Sequence, residues 1–229
     1  MRSFIAQAGT VASVAATSAD RCTALALSGG GSNGAWEAGV LWGLLNYGHP
    51  DDFRYDVVSG ISAGSINALG LAGWEIGKEK EAAQFLSDKW KNLKTSDVWK
   101  KWPHEIIEVL TTKQGAVDNS PLFGFLTDLI SQFDDYKRRI IIKSTEVNTG
   151  DITIFNNSNT PFADLPKAAV ASASIAGVFP PYDWGDGRLF MDGGASGNIN
   201  VISAIDQCLE IVDDESKITI DVFICNAKE

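Results

Sequence analysis

Histidine is nearly missing from this chain: His49 and His104 are the only two among 229 residues. A hydrolase with Ser, acid and His in that order carries its histidine late. None follows His104, and none follows Asp192, which argues against that arrangement. Cysteine is sparse too. Cys22, Cys208 and Cys225 contain no Cys-x-x-Cys pair, which excludes the usual zinc and redox motifs. Their odd number leaves at least one thiol unpaired, and all three read as small, partly buried apolar residues. Positive charge is scarce: 19 Lys and Arg against 29 Asp and Glu leave a net charge of −10. Nucleic-acid binding needs a basic face and is excluded, as is adsorption to an anionic membrane by charge alone. No apolar run reaches the ~20 residues that span a bilayer. No acidic loop has the oxygen-ligand spacing of an EF-hand, so neither calcium nor any other cofactor is expected.

What remains is globular. Hydrophobic residues make up 45% of the chain, with 7 Trp and 11 Phe, enough for one domain with a substantial core. That domain is read over 21–229, truncated at its C-terminus, because the last apolar strand lacks a covering helix. Residues 1–20 form a leader with two open readings. Arg2 followed by an Ala/Val/Ser-rich stretch, with cleavage candidates near Ala16 and Ala19, resembles a signal peptide and implies secretion. The interruptions at Gln7, Gly9 and Thr10 and the absence of leucine suit a disordered leader on a cytoplasmic protein instead. The sequon at Asn156 is usable only in the first case.

Hydrophobic periodicity alternates strands with helices. Strands are expected at Cys22–Leu27, Tyr55–Ser59, Arg139–Val147, Ile152–Phe155, Leu189–Met191 and Ile218–Cys225. Helices are expected at Ala35–Tyr47, Ser65–Gly73, Lys78–Leu93, Ser120–Phe133, Phe162–Ser172 and Val201–Leu209. The first helix has Trp36, Val40, Leu44 and Tyr47 near one stripe; the third has Ala82, Phe85, Leu86 and Trp90 on its apolar face. This order implies an α/β fold, a three-layer α/β/α sandwich around a mainly parallel sheet.

The middle of the chain organises the chemistry. Gly60-Ile61-Ser62-Ala63-Gly64 sits between a strand and a helix, the setting of a nucleophile elbow. Ser62 is the candidate nucleophile. Gly60 and Gly64 let neighbouring backbone pass close, and the helix start offers N–H groups and a positive dipole end. A second loop, Gly29-Gly30-Gly31-Ser32-Asn33-Gly34, also follows a strand. It matches the dinucleotide fingerprint Gly-x-Gly-x-x-Gly, yet the next strand leads to Ser62 and not to the acidic residue that fingerprint wants. Ala35 stands where a P-loop needs Lys. The favoured reading is an oxyanion hole made by the backbone of Gly29, Gly30 and Gly31; a side chain at Gly30 is expected to aim at that site. With no late histidine, Asp192, which closes a strand before Gly193-Gly194, is the better base. Taken alone it is equally an ordinary Asp-Gly-Gly turn.

Gly29-Gly30-Gly31 with Gly34, then Gly60-x-Ser62-x-Gly64, then Asp192-Gly193-Gly194, together with Ala173–Pro181, resemble the patatin-like phospholipase family over about Ala24 to Asn200. The resemblance implies a Ser62–Asp192 dyad, a glycine-loop oxyanion hole and metal-free hydrolysis of fatty-acyl esters in phospholipids, lysophospholipids or other acyl lipids. Asn33 departs from it, since such loops commonly carry Lys or Arg there. Peripheral membrane contact is one reading of Trp99, Trp102, Ile106 and Ile107 as an interfacial flap; a contribution to the core is the other.

Overall fold

The computed structural model describes residues 20–103 and 115–225. The leader apart from Asp20, and His104, Ile106 and Ile107, lie outside the described residues. Seven strands form one sheet: β1 (Cys22–Leu27), β2 (Val57–Gly60), β3 (Arg139–Glu146), β4 (Ile152–Asn156), β5 (Tyr182–Asp183), β6 (Leu189–Asp192) and β7 (Ile218–Phe223), in the order β5-β6-β3-β2-β1-β7 with β4 also on β3. β7, β1, β2 and β3 run parallel, while β4, β5 and β6 add antiparallel pairs. The parallel strands read as continuous apolar runs because helices cover both faces.

Seven α-helices are described: α1 (Gly34–Tyr47), α2 (Ala63–Ala72), α3 (Glu79–Asn92), α4 (Thr95–Val98), α5 (Ser120–Ile130), α6 (Leu165–Ser172) and α7 (Val201–Leu209). The period of two along each strand sorts side chains between two cores. Leu25, Leu27, Val58, Ile140 and Ile142 face α1, α2, α3, α5 and α6. Cys22, Ala24, Val57 and Ile141 face Ala204 and Cys208 of α7. The fold is therefore the expected three-layer α/β/α sandwich.

Two expectations change. Cys22 and Cys208 are not free apolar residues; they form a disulfide that ties β1 to α7, and Cys225 alone is a buried free thiol. Their separation of 186 residues hid the pairing. The buried face of α1 is also rotated from the aromatic stripe. Ala38, Leu41 and Leu45 are buried, whereas Trp36 and Tyr47 are 54% and 85% exposed. Small residues lead because the helix packs closely: a Cβ on Gly34 would come within 2.7 Å of the Trp90 ring and 2.9 Å of Ala63.

β3 arranges the ends of two other strands. Ile141 and Ile142 pair with β2 and with β4, so those two strands lie on opposite edges of β3. Ser144 and Thr145 pair with β4 and with β6, so β6 lies opposite β4, on the edge that β2 occupies. β2 runs up that edge and β6 runs down it. Their last residues, Gly60 and Asp192, stop opposite Ile142 and Ser144, with only Lys143 between.

Candidate active site

Ser62 sits in the tight turn between β2 and α2 with φ 52 and ψ −122, the one non-glycine residue at positive φ among those described. That backbone is strained for an L-residue and is held by its neighbours. A Cβ on Gly60 would collide with the Gly64 carbonyl, and one on Gly64 with the carbonyls of Leu27 and Ser28. Both positions of the elbow thus need glycine for space. The Ser62 N–H donates to Ser172 Oγ at 2.9 Å, and Ser172 Oγ donates to the Lys143 carbonyl at 2.6 Å. The turn is pinned and the serine hydroxyl is left to face the site.

Asp192 ends β6 beside it. The Asp192 N–H donates to the Ser174 carbonyl at 2.8 Å, and Oδ1 accepts from the Gly194 N–H at 2.7 Å. Burial raises the Asp192 pKa above the ordinary carboxylate range. The Ser62 hydroxyl and the Gly194 N–H oppose that shift by favouring the charged form. Serine and carboxylate therefore lie beside one another in a site where Ser62 is only 5% exposed.

The glycine loop lies across from them. Gly31, at φ 58, opens a short 3-10 turn that leads into α1. The Gly29 N–H donates to the Asn198 carbonyl at 3.2 Å, while the N–H groups of Gly30, Gly31 and Ala63 have no acceptor among the described residues. The last of these follows from the elbow itself, where the residue after the nucleophile contributes a donor. A Cβ on Gly30 would strike the Cys225 thiol rather than the site, whereas one on Gly31 meets open space. Gly30→Val therefore acts by displacing the loop. It is expected to lower turnover by about 10²-fold, the effect of losing one oxyanion donor, with KM read alongside; near wild-type turnover in a folded variant would make the loop merely structural.

A cavity of about 450 Å³ opens from Ser62, Ala63 and Gly31 and runs between Trp90, Trp99, Leu122 and Phe125. Its walls are apolar, and Lys94 is the one charged residue among those described that lines it. Trp102, by contrast, is buried with Nε1 donating to the Gly115 carbonyl at 3.1 Å. Of the proposed flap, Trp99 lines the cavity and Trp102 belongs to the interior. His49 lies exposed beyond the far end of α1, about 20 Å from the glycine loop at 1.5 Å per residue. Among the described residues no three His, Cys, Asp or Glu side chains cluster as metal ligands.

Beneath the glycine loop lies a polar network that the sequence did not announce. Trp90 Nε1 donates to Asn67 Oδ1 at 2.7 Å, and Asn67 Nδ2 donates to the Gly34 carbonyl and to Glu37 Oε2. Glu37 is fully buried, and its Oε1 has no bonding partner among the described residues. Burial pushes its pKa up to about 7, with Asn67, Cys225 and Ser28 offsetting only part. The folded state thus keeps a proton that the unfolded chain releases from its ordinary 4.5 upward. That contribution is intact below pH 4.5 and fades as pH rises through 7, by about 3 kcal/mol in all. Urea unfolding of wild type and Glu37→Gln at pH 5 and pH 8 measures it. The wild type is expected to lose more stability over that interval; parallel losses would mean the carboxyl is charged throughout.

The family model described as Patatin-like phospholipase matches residues 25–205. A cGAMP-activated phospholipase of Escherichia coli is 28% identical over 93% of this chain and 63% of its own length. A cGAMP-activated phospholipase of Pseudomonas aeruginosa is 31% identical over 76% of this chain and 53% of its own. The chain thus spans little more than half of these curated relatives. Among solved structures, VipD from Legionella pneumophila aligns with a TM-score of 0.47 and 13% identity over 89% of this chain and 50% of that one.

Proposed function

Since the chain belongs to the patatin-like phospholipase family, we propose that it hydrolyses fatty-acyl esters of phospholipids or lysophospholipids through a Ser62 acyl-enzyme. The observation that carries this reading is Ser62, held at φ 52 just after β2, beside the half-buried Asp192 that ends β6 on the same edge of β3. Asp192 takes the hydroxyl proton as Ser62 Oγ attacks the ester carbonyl. The oxygen gains negative charge in the transition state and is received by the N–H groups of Gly30, Gly31 and Ala63. Collapse expels the alcohol part of the lipid, which takes the proton back from Asp192. Water then gives its proton to Asp192 and attacks the acyl-serine, releasing the fatty acid and restoring the hydroxyl. The apolar cavity beginning at Ser62 suits an acyl chain. Contact with a lipid surface at the cavity mouth follows from such a substrate and is part of the same proposal.

The test combines two assays on purified protein, with and without cGAMP because both matched relatives are named for that activator. A panel of phospholipids, lysophospholipids, galactolipids and triacylglycerols is scored for released fatty acid. A fluorophosphonate probe is mapped by mass spectrometry. Release from a glycerophospholipid together with probe on Ser62 supports the proposal. A folded protein that neither turns over nor labels is a lipid-binding module instead.

A further inference from the structure

The gap between the ends of β2 and β6 is filled by one residue with contacts on both sides. On the edge that those strands share, Ile142 pairs with Gly60 and Ser144 with Asp192, and Lys143 has no partner in either ladder. Its carbonyl is therefore available, and it accepts from Ser172 Oγ, the group that accepts the Ser62 N–H. Its side chain reaches the other way. Nζ donates to the Gly197 carbonyl at 2.7 Å. Gly197 adopts φ 124, a conformation left to glycine, and its N–H donates to the Gly194 carbonyl at 3.2 Å. Gly194 in turn donates to Asp192 Oδ1. The next residue, Asn198, donates from Nδ2 to the Gly29 carbonyl at 2.8 Å and accepts the Gly29 N–H. The loop that Lys143 holds thus bears on the carboxylate and on the glycine loop together.

We propose that Lys143 is a positioning residue that sets the spacing of Ser62 and Asp192 through its carbonyl on one side and its ammonium on the other. This rests on the dyad reading above. Lys143 is 4% exposed, and among the described residues no carboxylate pairs with it. Burial lowers its pKa accordingly. A buried cation without a counter-charge is costly to keep, and an apolar side chain of similar length would fill the space more cheaply. What an apolar side chain would lose is the bond to Gly197.

Lys143→Met removes that bond and keeps the aliphatic stem. Measured on a soluble short-chain ester, kcat is expected to fall 10- to 100-fold, roughly the loss when a catalytic group is misplaced by about 1 Å. KM is expected to stay within twofold, because Lys143 does not line the cavity. The acid limb of the pH–rate profile is expected to move to higher pH. Burial, the Ser62 hydroxyl and the Gly194 N–H are the influences on Asp192, with no charged side chain among them, and a slack loop weakens the two that favour the anion. The thermal midpoint is expected to hold or rise. Lys143→Gln, one bond shorter and unable to reach Gly197, serves with the same expected loss if the methionine variant does not fold. Ser62→Ala runs beside both. A fully active Ser62→Ala overturns the dyad reading. An inactive Ser62→Ala with an unchanged kcat and acid limb in the Lys143 variants overturns the positioning role alone, as does a loss explained by unfolding at the assay temperature.

Discussion

Ser62→Ala is expected to lower kcat by roughly 10⁴-fold or more, as removal of a covalent nucleophile does elsewhere. Folding is expected to be unaffected, since Ser62 is pinned through its N–H to Ser172 and not through its hydroxyl. Ser62→Gly makes the test sharper. The backbone at φ 52, ψ −122 is strained for serine and alanine alike, and glycine relieves it. The glycine variant is expected to be as inactive as the alanine variant and more stable by about 1 kcal/mol. Activity and stability then move in opposite directions at one residue, which contamination and partial unfolding cannot imitate. Labelled, turnover-competent Ser62→Ala would remove the nucleophile assignment. An unstable Ser62→Gly would show that the elbow is not strained.

Asp192→Asn is expected to be the second near-complete loss. The amide keeps the size of the carboxyl and can still accept from the Gly194 N–H, yet it cannot take the serine proton. His49→Ala and His104→Ala, singly and together, are expected to keep most activity; His49 is exposed and remote from the glycine loop. The pH–rate profile adds an independent reading. Catalysis needs Asp192 ionised, so activity is lost as pH falls through its pKa. Burial raises that pKa, which places the acid limb above the ordinary carboxylate value of ~3.9. The limb is expected to vanish with Asp192 and to be indifferent to both histidines. A folded, inactive double histidine variant would replace the dyad with a histidine-assisted hydrolase.

Much of the fold was readable because local signals agreed with tertiary ones. β1 and α7 match their expected bounds, Cys22–Leu27 and Val201–Leu209, since an apolar run and an amphipathic helix suffice to define them. α1 kept its bounds closely but not its buried face, because Gly34 permits close approach to Trp90 and Ala63, which hydrophobicity does not register. The elbow and the Asp-Gly-Gly turn were readable because the backbone geometry there demands glycine. Lys143, Ser172, Asn198 and Glu37 were not. Each acts through a partner 29 or more residues away, and nothing in the local pattern marks a lysine in a strand or a glutamate in a helix for burial. The disulfide was hidden for the same reason.

The shared edge of β3 also bears on how such a chain tolerates change in length. Between Ser62 and Asp192 the described residues fold five α-helices, α2 to α6, and two strands besides β3 and β6, yet the spacing of the two residues is set by two ladder pairs, Ile142 with Gly60 and Ser144 with Asp192. Insertions or deletions in the intervening loops leave that ruler untouched, so substrate-facing segments are free to diverge in size while the chemistry stays in register. One residue removed between Ile142 and Ser144 has the opposite effect: it turns every later side chain of β3 to the other face and shortens the rule itself. Natural and engineered variation is thus directed to the loops and barred from a single position in the sheet.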